Sequence, residues 1–429
     1  MSRLLFVTCR LPFPPREGHQ LRSWNLLRAA ASVHDVTLLS LRRPEDAGTL
    51  PLEARRLLCD VEIVDIPALA RPRPLLGIAL KWLGSARPLL DIRYVSGPLR
   101  RAFSRRVRQC DLVHLDMLAL AGLATEVPAG IPIVLNEHNV ESALLQDRIE
   151  LESGFWRRAL LRVQMARLEQ FESTACRTAH RVLACSSLDA DRLHLIAPDA
   201  NVTVIPNGVD TASFLADFDT PPKPESLLFV GHMGWFPNRD GVEHFDRDIL
   251  PLLAHRSKLH LDVVGSSDGY SPEDRIDSRI RLRGFVDDLH ACLRQAAVFI
   301  VPLRLGGGTR LKVLEAMAMG KAIVSTSKGI EGIGMVDGTD VLIADRPEDF
   351  ARAVERLLDD APLRERLGRA ARDLAVRRYD WRSVGQRLLP VYSELLPEWL
   401  AGKRGMRVIE NAQRSESPFA EREQRHGTA

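Results

Sequence analysis

The sequence predicts an α/β protein made of two doubly wound, parallel-sheet domains in tandem. Its 429 residues are too many for one ordinary core and favour two domains of roughly 200 residues each. In both halves, short and almost wholly apolar runs alternate with segments whose apolar residues recur at helical spacing. Continuous apolar strands separated by helices indicate parallel sheets that helices cover on both faces.

The N-terminal half begins with a buried strand at 4–8. A helix is predicted over 19–33, where Leu21, Trp24 and Leu27 share one face, and a long basic amphipathic helix over 155–178. The other strands expected in this half lie at 36–41, 61–66, 112–115, 131–135 and 182–185. These elements define an N-terminal domain over residues 1–215.

A second series of alternating elements follows a cluster of three prolines, Pro221, Pro222 and Pro224, which indicates a linker over 216–225. Strands are expected at 227–230, 259–264, 280–282, 298–302, 322–325 and 341–344, and helices at 242–250, 287–296, 309–319 and 348–359.

These elements form a predicted C-terminal domain over 226–385. A terminal helix over 386–405 is expected to cross back to the N-terminal domain. The polar segment 406–429 is expected to be a disordered tail, because it holds too few apolar residues to pack.

Composition excludes several classes of protein. The 59 basic and 56 acidic residues leave a net charge of only +3, too small for a dedicated nucleic-acid binder. No apolar run approaches the ~20 residues of a membrane-spanning helix, and the N-terminus lacks the pattern of a signal peptide. The six cysteines lack the spacing of a disulfide framework or a zinc site. We therefore expect a cytoplasmic protein with neither metal nor cofactor.

The sharpest chemical signal is a glycine-rich loop between a predicted strand and a helix expected to begin near Thr309. Consecutive glycines let backbone amides approach an anion, and the N–H groups and dipole of the helix point to the same place. The glycines are Gly306, Gly307 and Gly308.

Charged residues follow this loop at positions suited to a sugar diphosphate. Arg310 and Lys312 place positive charge in the first turn of the helix, where a bound phosphate would offset their repulsion by the dipole. Glu315 lies one turn beyond Leu311 and could accept hydrogen bonds from two sugar hydroxyls. The alternative is a solvent-exposed glycine turn before an ordinary capped helix.

Several motifs along the chain occur in a specific order. They are the run 306–320, the segment 322–326, the Glu331-Gly332 turn, and the segments 12–18, 22–23, 137–141, 204–210, 229–238, 283–286 and 379–381. In this order the chain resembles the retaining glycosyltransferases of family four (glycosyl transferases group 1), over nearly all of residues 1–400. The resemblance implies the GT-B architecture, in which two Rossmann-like domains face each other across a cleft. The forms that two of these motifs take in this chain, Arg-Glu-Gly-His at 16–19 and Gly-Trp-Phe-Pro-Asn at 234–238, are most similar to those of sugar transferases of bacterial exopolysaccharide systems.

The resemblance assigns roles to individual residues of the donor site. Glu315 matches the second Glu of the family's Glu-x7-Glu motif and would hold the nucleotide ribose, whereas Gly307 stands where the first Glu is usual. The family's usual Arg and Lys after the Gly231 loop are not clearly matched in this chain, so Arg310 and Lys312 are assigned the charge that faces the diphosphate. His138 matches an active-site histidine of the family. The other donor-site residues are Gly18, Gly231, Arg283, Phe285, Val286, Gly306, Gly308, Thr309 and Leu311, and His19 and Asn139 are assigned to the acceptor side. For Phe285, a plain core position is the alternative.

The resemblance also implies the reaction. A hexose would pass from a UDP- or GDP-linked donor to a saccharide or polyprenyl-linked acceptor with retention of anomeric configuration, in the synthesis of exopolysaccharide or another cell-surface glycan. Fixed amides and cations would stabilise the departing diphosphate without a metal. Asp-x-Asp triplets begin at Asp189, Asp217 and Asp246, but they fall in predicted helices or the linker.

Two other functions remain open. A nucleotide-sugar 2-epimerase shares the two-domain plan but needs additional acid–base carboxylates in the cleft. A non-catalytic nucleotide-sugar-binding protein would agree with the missing Glu at Gly307.

The segment 71–108 is strongly basic, with leucines and Trp82 interleaved among its arginines, and Phe155-Trp156-Arg157-Arg158 repeats that pattern. Such segments suit an anionic membrane surface, so a peripheral location on the cytoplasmic face of the inner membrane is a further hypothesis. The alternative for 71–108 is a solvated, charged face of the N-terminal domain.

Overall fold

The computed structural model describes residues 1–15, 17–43, 50–66, 81–82, 84–266, 276–307 and 310–396. Within them the strands form two sheets whose pairings are all parallel. The first sheet has seven strands in the order β3-β2-β1-β4-β5-β6-β7, and the second has six in the order β10-β9-β8-β11-β12-β13. The predicted α/β class, with two doubly wound Rossmann-like domains, is confirmed.

The N-terminal sheet contains β1 (Arg3–Thr8), β2 (Asp35–Arg42), β3 (Asp60–Asp65), β4 (Leu112–Asp116), β5 (Ile133–Asn136), β6 (Arg181–Ala184) and β7 (Val202–Val204). The helices around it are α1 (Gly18–Ala31), α2 (Leu52–Arg56), α3 (Leu89–Tyr94), α4 (Gly97–Val107), α5 (Glu141–Leu151), α6 (Phe155–Thr178) and α7 (Ser187–Ile196), with a 3-10 helix at Leu118–Glu126.

The C-terminal sheet contains β8 (Ser226–Val230), β9 (His260–Val264), β10 (Ile280–Gly284), β11 (Val298–Val301), β12 (Ile323–Ser325) and β13 (Leu342–Ile343). Its helices are α8 (Phe236–His244), α9 (Leu289–Gln295), α10 (Leu311–Ala318), α11 (Pro347–Asp359), α12 (Ala361–Tyr379) and α13 (Trp381–Leu395), with a π-helical turn at Phe245–Ile249 and 3-10 turns at Leu250–Leu253 and Lys328–Ile330.

In each domain the strand order reverses beside the first strand, because β1 lies between β2 and β4 and β8 lies between β9 and β11. The register pairs Thr8 with Asp116, and Asp116 with Asn136, at the carboxyl ends of β1, β4 and β5. Loops that leave such a reversal point form a crevice at the carboxyl edge of the sheet. Each domain therefore presents one crevice, and the functional motifs lie on the loops around it.

The strand predictions agree with the structure to within two residues, but several helices differ. Helix α8 begins at Phe236, six residues before the predicted start, with Pro237 in its first turn, where proline is well tolerated. Helix α10 begins at Leu311 rather than near Thr309, and Arg310 is its N-cap residue. The sequence analysis gave no bounds for β7, α2, α3, α4, α5, α7 or α12, of which β7, α2 and α3 have only three, five and six residues.

The chain crosses between the domains twice, and the two crossings are paired with each other. Val209 and Asp380 form a parallel β-bridge, in which Val209 donates to the carbonyl of Tyr379 at 2.7 Å. A Cβ on Gly208 would lie 2.6 Å from the Trp381 ring, so only glycine allows this approach. The motifs at 204–210 and 379–381 are thus two sides of one interdomain joint.

Helix α13 returns to the N-terminal domain and completes its core. Its crossing begins at Trp381, before the start at 386 that the sequence analysis gave. Val384, Leu388 and Tyr392 share an apolar cluster with residues of β1 and α1, and the Tyr392 hydroxyl lies 2.8 Å from His114 Nδ1. The predicted tail at 406–429 lies outside the described residues. Among the described residues, no helix combines the length and apolar composition needed to cross a bilayer.

We expect Tyr392→Phe to lower the free energy of unfolding by about 1–2 kcal/mol, because it leaves the buried His114 Nδ1 without its hydrogen-bond partner. Urea-unfolding curves of the full chain measure this change. Ser393→Ala is the matched control on the same helix, and we expect it to unfold like the unmodified chain. Equal stability of Tyr392→Phe and the unmodified chain would contradict the docking of α13.

Candidate active site

The crevices of the two domains face each other and touch at the start of α10. A Cβ added to Gly18 would lie 2.8 Å from Leu311 Cδ1, and one added to Gly307 would lie 2.8 Å from Leu144 Cδ2. The first strand–helix loop of the N-terminal domain therefore meets the glycine loop of the C-terminal domain. Gly18, Gly307 and Leu311, which the sequence analysis assigned to one site, are brought together. Gly308 and Thr309 lie outside the described residues.

His138 lies on the N-terminal wall of the cleft, just after β5, and only 7 % of its surface is exposed. Its Nε2 is 2.8 Å from Asp116 Oδ1, which also accepts a hydrogen bond from Asn136 Nδ2 at 2.6 Å. Ser23 Oγ donates to the other carboxylate oxygen of Asp116. Burial alone would raise the pKa of Asp116, but the positive field and the hydrogen bond of His138 lower it below its ordinary value.

Asp116 thus remains ionised and fixes the orientation of His138. The sequence analysis missed both Asp116 and Asn136. The signal for them was an acid and an amide directly at the carboxyl ends of two predicted strands, which in a parallel sheet lie at the same edge.

A fully buried arginine holds the carboxyl end of β5 in place. Arg22, in α1, donates from Nε and Nη2 to Asn136 Oδ1 at 3.1 and 2.8 Å, and from Nη1 to the Ile205 carbonyl and Asn207 Oδ1 at 2.8 and 3.1 Å. It connects the end of β5 to the interdomain joint. Arg22 belongs to the resemblance motif at 22–23, and the structure shows it as a support for the site.

The residues assigned to the acceptor side lie beside His138. Burial, followed by the neighbouring charge of His138, lowers the pKa of His19 to about 4, so His19 is neutral near pH 7. The side chain of Asn139 forms a hydrogen bond with Glu141, whose pKa burial raises to about 7. Their role towards an acceptor stays a prediction.

A buried acid of α6 holds the start of α5. Glu172 accepts hydrogen bonds from the backbone N–H groups of Glu141 and Ser142 at 2.7 and 3.2 Å, so it caps the helix that follows the His138 loop. Burial, together with the nearby Glu172, raises the pKa of Glu137 well above its ordinary value. Burial of Glu137 thus favours its protonated form over its carboxylate.

On the opposite wall, Arg310 shapes the glycine loop. Its guanidinium donates to the carbonyl of Gly307 and, at 3.4 and 3.5 Å, to those of Leu305 and Lys328. Burial lowers its pKa to about 10, so it stays charged at neutral pH. Gly306 adopts φ 105°, and a Cβ there would approach both Arg310 and Trp235, which explains the need for glycine. Direct contact of Arg310 with a diphosphate stays a prediction.

Lys312 lies in the first turn of α10, and its side chain points towards β8 and the start of α8. Its Nζ is 2.6 Å from Asn238 Oδ1 and 4.1 Å from the centroid of the Phe229 ring. The Asn238 side chain in turn lies 2.8 Å from where a Cβ of Gly231 would be. Burial and the charge of Arg310 lower the pKa of Lys312 well below its ordinary value, and an anion bound here would raise it again.

Glu315 follows Lys312 on α10. Among the described residues its carboxylate has no hydrogen-bond partner. Burial, opposed in part by Lys312, raises its pKa to about 7. A carboxylate of this kind has acceptors available for hydroxyl groups of a ligand.

The residues predicted to contact a base lie at the end of β10, on the far edge of the same sheet. Phe285 is 77 % exposed, so the alternative of a core position is wrong. Arg283 is exposed and lies 3.9 Å from Asp262, while Val286 packs against the domain core. Strand β10 is three strands away from β11, roughly 14 Å at the usual strand spacing. That separation suits a ligand that extends from the glycine loop to the sheet edge.

Ion pairs join the two domains at the side of the cleft. Arg192 of α7 lies 2.9 Å from Glu331, and Lys328 lies 3.3 Å from Asp147 of α5 and 3.0 Å from Glu331. The carboxylate of Glu331 is thus shared by cations from both domains, and they lower its pKa against the opposing effect of burial. Across the described ranges, no group of three or more His, Cys, Asp or Glu side chains could hold a metal ion.

Comparisons with known proteins identify both domains. The family "Glycosyltransferase Family 4" matches residues 17–213, and "Glycosyl transferases group 1" matches residues 224–360. The chain is 26 % identical to the α-maltose-1-phosphate synthase of Mycobacterium tuberculosis over 385 residues, which are 79 % of this chain and 92 % of that protein. It is 32 % identical to the phosphatidyl-myo-inositol mannosyltransferase of the same organism over 225 residues, 49 % of this chain and 58 % of that protein.

Solved structures agree on the fold. Sucrose-phosphate synthase from Thermosynechococcus elongatus superimposes with a TM-score of 0.68 at 16 % identity, covering 93 % of this chain and 100 % of that one. HepE from Anabaena, solved in complex with UDP, gives a TM-score of 0.64 at 15 % identity and covers 91 % and 100 % of the two chains. At these identities the likeness establishes the GT-B fold alone.

We expect Arg192→Ala and Glu331→Ala each to open the cleft, because each removes the same partly buried pair between the domains. The free energies by which the two substitutions favour the open form should differ from additivity by about 1 kcal/mol. The double variant should therefore open little further than either single variant. Small-angle scattering at low salt measures the change in radius of gyration. Arg346→Ala, which disrupts an exposed pair within one domain, is the control. Additive effects of the two alanines would contradict the pairing.

Proposed function

We propose that this chain, which belongs to the glycosyltransferases of GT-B type with a family 4 domain followed by a group 1 domain, transfers a hexose from a nucleotide-diphosphate sugar. The observation that carries the proposal is the convergence at the start of α10, where Gly18 from one domain meets Leu311 of the other. The helix N-terminus, Lys312 and Glu315 all lie within its first two turns. This arrangement suits an anion next to a sugar.

The donor extends along the carboxyl edge of the C-terminal sheet in this proposal. Its diphosphate lies between the Gly18 loop and the glycine loop, where backbone amides and Lys312 supply positive potential. Glu315 accepts hydrogen bonds from the ribose, and the exposed Phe285 stacks on the base. The structures of HepE with UDP and with UDP-glucose support a uridine donor, and GDP-linked sugars are the alternative.

Bond cleavage separates charge, and the site has groups for both signs. Positive charge develops at the anomeric carbon and negative charge on the diphosphate, which the amides and Lys312 stabilise as it forms. Because the cations are protein groups, we propose transfer without a metal. His138, oriented by the ionised Asp116, positions the sugar hydroxyls. The acceptor hydroxyl attacks from the face of the leaving diphosphate, whose oxygen takes the proton, so the configuration is retained.

The acceptor in this proposal is a saccharide or a polyprenyl-linked saccharide, and the product is an exopolysaccharide or another cell-surface glycan. His19 and Asn139 lie on the wall that would face it. Closure of the cleft by the Arg192–Glu331 pair would exclude water and limit hydrolysis of the donor. The reaction would take place at the cytoplasmic face of the inner membrane, where a lipid-linked acceptor is accessible.

The test is nucleotide release from UDP-hexoses and GDP-mannose, with and without polyprenyl-linked and free oligosaccharide acceptors. We expect release that depends on the acceptor and a product with the donor's anomeric configuration. Asp116→Asn should reduce release on the order of 10²-fold, because His138 loses its orienting charge, while the thermal shift caused by UDP is unchanged. Conversion of the donor without acceptor would indicate a 2-epimerase, and binding without turnover would indicate a non-catalytic protein.

Glu315 gives the site a pH dependence near neutrality. Since its pKa is about 7, the affinity for a donor that binds through the carboxylate should rise by up to about tenfold per pH unit as the pH is raised towards 7, and this rise should level off above pH 7. In the free protein the raised pKa has the opposite consequence: stability falls as pH rises from about 4.5 to 7.

Calorimetric titration of UDP-glucose between pH 6 and 8.5 measures the effect, and Glu315→Gln should abolish it. A rise in affinity between pH 6 and 7 that persists in Glu315→Gln would exclude the ribose assignment, whereas weaker binding at high pH would reflect the titration of Lys312.

A further inference from the structure

Helix α6 is longer than its place beside the sheet requires. It has 24 residues, about 36 Å, whereas the four-residue strand β6 that follows it is about 13 Å long. All of its buried residues lie from Leu168 onward. Because α6 runs back from the carboxyl edge of the sheet to the start of β6, its first half extends beyond that edge. This is the edge on which His138 lies.

The projecting half of α6 exposes a continuous apolar face. Phe155 and Trp156 are 74 % and 81 % exposed, and Leu160 and Val163 follow at one-turn spacing, each about half exposed. The rings of Phe155 and Trp156 contact each other edge-on, with centroids 5.2 Å apart. Four large apolar side chains within nine residues of one helix form a patch that a monomeric soluble protein rarely presents to water.

Two exposed arginines, Arg157 and Arg162, border this face. Their side chains form no ion pair or hydrogen bond with any described residue, whereas Arg158 is half-buried and its Nε is shielded from solvent. In the basic segment 71–108, four of the seven described arginines are paired with acids, and the other three are exposed and unpaired. What distinguishes Arg157 and Arg162 is that their charge lies directly beside an exposed apolar face. Residues 71–80 and 83 lie outside the described residues.

The base of the patch is held rigidly. Trp82 donates from Nε1 to Gln164 Oε1 at 2.8 Å, and the Arg167 guanidinium lies 4.5 Å above the Trp82 ring and donates to its carbonyl at 2.6 Å. Gln164 and Arg167 follow Val163 on the helix. The exposed face therefore belongs to a helix that is already held in place, so little conformational freedom is lost when it contacts another surface.

We propose that residues 155–163 of α6 form the surface by which this protein docks on an anionic lipid bilayer. Aromatic and leucine side chains enter the interface between head groups and acyl chains, and the bordering arginines contact the lipid phosphates. A second copy of the chain is a poorer occupant, because a two-fold contact would bring the same unpaired arginines together. Docking would place the cleft near the bilayer, because α5, which precedes α6, contacts Gly307 through Leu144.

Co-sedimentation of the full chain with vesicles tests this proposal. We expect binding to phosphatidylglycerol-containing vesicles that weakens with salt, and little binding to phosphatidylcholine alone. Phe155→Ser with Trp156→Ser should lower the partition coefficient at least about tenfold, and Arg157→Gln and Arg162→Gln should each lower it about fivefold. Leu195→Ser, at an exposed leucine of α7, is the apolar control and should change nothing.

A charge-matched control separates the two basic regions. Arg101→Gln with Arg108→Gln removes the same charge as Arg157→Gln with Arg162→Gln, at exposed positions of the segment 71–108, and we expect this double variant to retain binding. Equal loss in both double variants, or no binding of the unmodified chain to anionic vesicles, would overturn the proposal. So would a dimer, seen by light scattering, that Phe155→Ser with Trp156→Ser abolishes. The UDP-induced thermal shift should be the same in all variants, which keeps this test independent of the donor site.

Discussion

Leu311 packs against the cores of both domains, and the fit between the two walls of the cleft depends on this contact. It stands at the first position of α10, where helical N–H groups have no partner within the helix. Gly18 is the residue opposite, and any side chain there would collide with Leu311. A close contact between the domains therefore coincides with a helix N-terminus, so an anion bound there would have protein on both sides.

The C-terminal wall of the cleft buries two ionisable side chains whose charged forms are disfavoured there. Lys312 and Glu315 are three residues apart on α10, and burial shifts the pKa of each towards the neutral form. Asp116 behaves differently, because His138 and Ser23 supply hydrogen bonds that compensate for its burial. The buried charge of the N-terminal wall is thus compensated by protein groups, whereas the buried charges of the C-terminal wall would be compensated by a bound donor. A diphosphate and a ribose would restore the charges of Lys312 and Glu315, so part of the stability of this wall is expected to come from the donor.

Motif residues divide into those that face the cleft and those that hold it in shape. Gly208 and Trp381 form the interdomain joint, and Arg22 connects that joint to the end of β5. Arg310 braces the glycine loop from within, and Glu172 caps the helix after His138. A motif in the sequence does not distinguish these roles, because both require a fixed residue type at a fixed place.

Local sequence patterns were enough to predict every described strand except β7, the tandem organisation and the glycine loop before α10, since these follow from apolar periodicity and from the backbone freedom of glycine. They also identified His138, Lys312 and Glu315 as candidates. The folded chain was needed to show that Asp116 orients His138, that Lys312 contacts Asn238, and that Phe285 is exposed. Those features depend on the register of parallel strands and on the pairing of two distant chain crossings, and neither is encoded within a local stretch of sequence.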